Sequence, residues 1–242
     1  FPDSVKSGQE LKRLTDPIIL KRSVSEVADD LPERIDIDVP LELDDLLIDH
    51  YKEVRETTMA EYPVAGALVA TLQLQLVCAH PWLRQSELAA DEYEIVPSGN
   101  IPLLTPKMER ATNILREAFA NGRKVIVFVL FNRLGELLNQ AYGPTKNTYW
   151  NTINGGTAQE DRQAIIDDFS AHVGPACLIL NPKAAGAGLN ITAATVVIHF
   201  TPVWNPALEK QASARAHRRG QAEPVSVYRL FYMDTVEEVM ID

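Results

Sequence analysis

Cysteine is scarce in these 242 residues. Cys78 and Cys177 stand far apart and match no metal-ligand spacing, which excludes a Cys-built metal centre and makes a reducing compartment the expectation. The five histidines are scattered without ligand spacing, so no metal site is expected. No apolar run approaches the length of a membrane span, and FPDSVKSGQE is not a signal peptide, so no membrane partner is expected. Nowhere does G-x-x-x-x-G-K-S/T occur, so the chain carries no phosphate loop of that kind. Repeats and low-complexity tracts are absent, and Phe1 in place of Met points to a piece of a longer chain.

What is present is ordinary for a soluble globular chain: 46% hydrophobic and 23% charged residues, enough for one large domain or a core plus a subdomain. The formal charge of −10 is unevenly placed. Residues 1–104 hold 20 acids against 9 bases, whereas 105–242 hold 13 acids against 14 bases. Any grip on an anionic polymer must therefore be local, without a broad basic field. The acidic first part is either a surface for a protein partner or simply solvated.

Residues 1–22 read as a short mixed helix, and Ser23-x-x-Glu26 as a capping box opening another before Pro32. Ile35, Ile37, Val39, Leu41 and Leu43 alternate with polar residues or proline, which predicts a one-sided strand; Pro40 has no N–H to donate and so marks either a sheet edge or a strand end. Helices are predicted over 44–60 and 64–79, the second more apolar, followed by a linker-like loop over 84–104 with Pro97, Ser98, Gly99 and Pro102. His80 reads as a buried hydrogen-bonding residue. From Thr105 the rhythm alternates helix and strand, the pattern of a parallel sheet covered on both faces. Thr105-Pro106 opens a helix; strands are predicted at 124–131, 149–153, 176–180, 195–200 and 225–232; Thr157-x-x-Glu160 and Thr235-x-x-Glu238 read as capping boxes.

The informative stretch is Lys183 to Gln221. A small-residue loop, Ala184-Ala185-Gly186-Ala187-Gly188, follows an apolar strand, and its glycines let backbone amides approach a ligand closely. Asn205-Pro206 then starts a helix on which Gln211, Arg215 and Arg218 are spaced four and three apart and so share one face, with Gly220 as the stop. Planar guanidinium groups on one stripe suit phosphate oxygens.

QASARAHRRGQ resembles motif VI of the Swi/Snf-type ATP-dependent DNA translocases, a branch of the superfamily-two helicases. KAAGAGLNIT resembles their motif V, and VWNP their Trp-Asn-Pro turn. Leu20-Lys21-Arg22, Leu31-Pro32 and Cys78-Ala79-His80-Pro81-Trp82-Leu83 resemble further family stretches. The resemblance implies an α/β, RecA-like second helicase lobe over 105–242, a helical protrusion with a linker loop over 44–104, and a lead-in segment with the first strand over 1–43. It further implies ATP and Mg2+ held mainly by a missing N-terminal RecA-like lobe of the same protein. Arg215 and Arg218 would be arginine fingers, with Gln211 positioning the nucleotide or the arginines, and Gly186, Gly188 and Asn190 lining the same cleft. Double-stranded DNA would be the other partner. Lys183 would meet a backbone phosphate; Trp204 would either rest against a sugar or base or belong to the core. Thr157 would either hold a phosphate through its amide or be a plain N-cap. The compartment would be cytoplasmic for a bacterial or viral source and nuclear for a eukaryotic one.

Departures from the family pattern gather on the DNA side. Asn181-Pro182 replaces Ser/Thr-Thr, Val203 the first of two tryptophans, Ala214 an Asp, and Val129-Leu130 a Ser-Gln pair. Two rivals follow: a nucleotide-sensing or protein-binding module with a degenerate DNA surface, and a strand-separating helicase of the same superfamily.

Overall fold

β-Branched and apolar runs that do not alternate with polar residues must be covered on both faces, and three of them lie here at the centre of one sheet. The structure, a computed structural model, describes residues 31–62, 66–86, 92–183 and 188–241. Contacts divide the chain at Leu31/Pro32; the helix and capping box expected before Leu31 lie outside the described residues. The elements in order are β1 (Arg34–Leu41), α1 (Asp45–Glu61), α2 (Gly66–Ala79), β2 (Leu83–Gln85), β3 (Tyr93–Ile95), α3 (Pro106–Ala120), β4 (Lys124–Phe128), α4 (Leu134–Tyr142), β5 (Tyr149–Ile153), α5 (Gln159–Ala171), β6 (Ala176–Leu180), β7 (Ala194–His199), α6 (Pro206–Ser213), β8 (Val225–Tyr232) and α7 (Val236–Ile241).

Six strands run parallel in the order β1-β8-β7-β4-β6-β5. Side-chain parity sorts the core. Val125, Val127, Cys177, Ile179, Val196 and Ile198 face one way, onto α3, α4 and the end of α2. Ile126, Phe128, Leu178, Leu180 and Val197 face the other, onto Ile166 and Phe169 of α5 and Ala212 of α6. This is the α/β, RecA-like arrangement. β1 is an edge strand, as Pro40 requires, pairing only with β8. No helix among the described residues is long and apolar enough to cross a membrane.

The stretch expected to be a linker loop is more ordered than its sequence suggests. β2 and β3 form an antiparallel hairpin with Arg84 opposite Glu94. Two hydrogen bonds then bind the following turn to the end of α2: His80 Nε2 to Leu103 O at 3.1 Å, and Trp82 Nε1–H to Leu103's neighbour but one, Ile101 O, at 3.0 Å. His80 Nδ1 also accepts the Trp82 N–H, so both ring nitrogens are used and the imidazole is structural.

The first helix of the sheet layer and the last helix of the chain meet at a buried ion pair. Thr105 caps α3, its Oγ1 accepting from Met108 N–H, and Lys107 in the first turn is fully buried. Its Nζ donates to Glu237 Oε2 and lies 4.7 Å from the centroid of the Tyr232 ring. The same Glu237 oxygen accepts the Tyr232 N–H at 3.0 Å, and Tyr232 Oη accepts the Lys107 N–H at 3.1 Å. α7 also touches α1 and α2: Tyr51 Oη accepts Val236 N–H at 2.9 Å, and Gln75 Nε2 donates to Met240 Sδ.

Two predictions follow from these buried groups. Glu237→Gln strands a buried cation and lowers the unfolding free energy by about 3–5 kcal/mol, whereas Lys107→Met/Glu237→Gln, which keeps an acceptor for Tyr232 N–H, recovers more than half of it. Equal losses in urea titrations of the two variants would contradict the pair's role. Burial pulls His80 down to about 4, and burial with the Arg34 and Arg229 charges pulls His199 to about 3, both from 6.5. Both are depressed, so the unfolded chain binds the protons first and stability falls as pH drops below about 6.5. The loss approaches 1.4 kcal/mol per pH unit per histidine. His199→Gln should remove part of that slope between pH 6.5 and 4.5; an unchanged slope would contradict it.

Candidate functional site

Loops at the carboxyl ends of parallel strands converge, and where neighbouring strands send their connections in opposite directions a crevice opens between them. Here β4 leads outward to β5 while its neighbour β7 leads the other way to β8. The loops after β4, β5, β6 and β7 together line a cleft of about 820 Å³, to which they contribute Leu130, Asn132, Gly155, Asn181, Lys183 and Trp204; Leu72, Gln75 and Met240 form its far wall. Lys183 and Trp204 are thus brought together, and Trp204 is 55% exposed rather than core. Thr157 is not among the lining residues. Its hydroxyl accepts Asn154 N–H at 3.0 Å and its amide donates to Asn154 O at 3.1 Å, closing a turn. α5 begins at Gln159 with Ala158 at the cap position and no side-chain cap, so Thr157 is not the expected N-cap.

The start of α6 follows expectation: Asn205 Oδ1 accepts Ala207 N–H at 3.0 Å, and Pro206 occupies the first helical position. Its end does not. The helix stops at Ser213, so Gln211, Arg215 and Arg218 do not share one helical stripe. Two long-range bonds take the chain off the helical path. Ser213 Oγ lies 2.7 Å from the buried His199 Nε2, and Arg215 O accepts the Ile191 N–H at 2.9 Å instead of an amide of its own helix. Tight turns follow, with Arg215 N–H on Ala212 O and Ala216 N–H on Ser213 O, each at 3.1 Å. Gly220, expected as the helix stop, has φ +97° and instead ends this run of turns.

The turns set the arginines apart in environment. Gln211 is exposed on α6, Arg218 is half-buried, and Arg215 is 9% exposed. Arg215 Nε is buried and has no hydrogen-bond partner among the described residues. Burial, then the neighbouring Arg218 charge, lowers the Arg215 pKa from its ordinary value. Arg218 Nη1 donates to Leu189 O at 3.2 Å.

That bond is one strand of a strap between the two motif-bearing segments. Gln221 Nε2 donates to Thr192 O and Ala194 O, both at 3.0 Å, and to Ala216 O at 3.1 Å; its Oε1 accepts from Ala222 N–H and Glu223 N–H. With Ile191 N–H on Arg215 O, residues 189–194 are fastened to 215–221. Gly188, at φ +108°, is exposed just before the strap and Asn190 is exposed within it, and Gly186 lies outside the described residues. Gln221 is the residue that sequence reasoning passed over. Its only signal was a polar side chain next to a glycine at the end of the motif.

The helicase conserved C-terminal domain family matches residues 106–220. An ATP-dependent helicase of Mycoplasma pneumoniae is 33% identical over 234 residues, covering 94% of this chain and 21% of that protein. The ISWI chromatin-remodeling complex ATPase ISW1 of Saccharomyces cerevisiae is 27% identical over 249 residues, 99% of this chain and 22% of that protein. This chain therefore spans about a fifth of the length of these relatives. Among solved structures, the Sulfolobus solfataricus SWI2/SNF2 ATPase core in complex with dsDNA superposes with a TM-score of 0.67 at 27% identity, over 97% of this chain and 50% of that one. The chain belongs to the Swi/Snf-type helicase family and forms a C-terminal helicase lobe of that family.

Proposed function

We propose that this chain is the second motor lobe of an ATP-dependent double-stranded DNA translocase, and that it completes the ATP site from across a cleft. Arg215 Nε, buried and unpaired among the described residues, carries the reading. A buried guanidinium N–H without a partner is costly to keep unless an anion from outside this chain meets it. Arg218 stands beside it, and a phosphoryl group with charge spread over its oxygens is the anion two such groups suit. The first lobe of the same protein supplies the phosphate loop and holds ATP with Mg2+, whose charge offsets that of the phosphates when bound. Gln211, Gly188 and Asn190 border the nucleotide.

On the DNA side, Lys183 neutralises a backbone phosphate and Trp204 rests against the sugar or base next to it. The near-zero charge of 105–242 leaves this grip local, and a duplex tracked along its backbone needs no strand separation. The strap gives a physical route between the two surfaces, because a shift of 189–194 toward DNA carries the arginine turns with it. The dsDNA in the SWI2/SNF2 neighbour supports the choice of duplex as the track.

Duplex DNA should stimulate ATP turnover by the full-length protein. Arg215→Ala or Arg218→Ala should each lower the stimulated rate by about a thousandfold or more. Turnover indifferent to duplex would instead favour a nucleotide-sensing or protein-binding module, and unwinding in a strand-displacement assay a helicase. The isolated 242-residue chain should not hydrolyse ATP at all; measurable turnover by it would place a whole site within these residues and contradict the two-lobe reading.

A further inference from the structure

The departure Asn181-Pro182 stands beside Lys183, and in the structure every polar group of the half-buried asparagine's side chain is hydrogen-bonded within the protein. Its N–H donates to Ile153 O at the end of β5, at 3.1 Å. Its Nδ2 donates to Leu130 O at 3.0 Å and to Asn132 Oδ1 at 3.1 Å, both in the loop after β4. Its Oδ1 accepts the Lys183 N–H at 3.0 Å. That last bond closes an Asx turn two residues on, and the buried Pro182 within it has a fixed φ. One residue thus ties the carboxyl ends of three adjacent strands and sets the backbone from which the exposed Lys183 extends into the cleft.

A serine or threonine hydroxyl in this place has a single proton to donate and a shorter reach. It can accept from Lys183 N–H, but it cannot also bond both Leu130 O and Asn132 Oδ1. We propose that Asn181 is a positioning residue for nucleic-acid binding: it touches no DNA itself, but fixes Lys183 at the height where its ammonium meets a backbone phosphate. The inference rests on the reading of the cleft as the DNA face.

A double-mutant cycle in the full-length protein tests it, with binding of a fluorescently labelled duplex measured by anisotropy across a salt series. Lys183→Ala should weaken binding about threefold to tenfold and reduce the salt slope by about one. Asn181→Ala should do nearly the same, and Asn181→Ala/Lys183→Ala should bind like Lys183→Ala alone, within about twofold. Asn181→Ser, which keeps an acceptor for the Lys183 N–H, should fall between wild type and Asn181→Ala, and it replaces the alanine in the cycle if that variant does not fold. Multiplying effects, or an Asn181 variant with the wild-type salt slope, would overturn the positioning role while leaving the DNA face intact. Lys183→Ala with unchanged affinity and slope would remove the DNA face itself, and this inference with it.

Discussion

Parallel strands cannot be joined by tight turns; each needs a crossover that returns the chain to the same end of the sheet. This constraint organises the molecule. It buries both faces of β4, β6 and β7, which accounts for their unbroken apolar sequences, and it delivers the loops after β4, β5, β6 and β7 to one edge. Those loops supply Leu130, Asn132, Gly155, Asn181, Lys183 and Trp204 to the cleft. The far end of the sheet does structural work instead: Arg123 there donates to Thr195 Oγ1 and O and to Ser226 Oγ, clamping β7 to β8.

On that edge the chemistry divides into two patches held by hydrogen bonds rather than by regular secondary structure. One is the cleft with Lys183 and Trp204, whose turn is pinned by Asn181. The other is the run of turns that carries Arg215 and Arg218, fastened to 189–194 through Ile191, Leu189 and Gln221. Residues 181–194 therefore begin at one patch and end at the other.

Much of the fold was legible because the signals were local. Five short runs marked their strands to within a few residues, and Thr105-Pro106 and Asn205-Pro206 marked helix starts through capping that depends on neighbours alone. What misled was decided at a distance. Spacing of four and three is evidence for one helical face only while the helix lasts, and it ends at Ser213 because His199 and Ile191 offer better partners than the next turn. The β2–β3 hairpin is too short to show periodicity and is held by His80 and Trp82 reaching across to 101–103. Asn181 was visible as an oddity, but its meaning depends on Leu130 and Asn132, some fifty residues earlier.

The central claim is that Arg215 and Arg218 are held ready for a phosphoryl group that this chain does not itself bind. Its most direct test is a structure of the full-length protein with duplex DNA and a transition-state analogue of ATP. The account predicts both guanidinium groups at hydrogen-bond distance, about 2.9 Å, from the analogue's terminal oxygens, with the bonds from Ile191 and Gln221 intact. Arginines turned away from the nucleotide and paired with carboxylates of either lobe would contradict it.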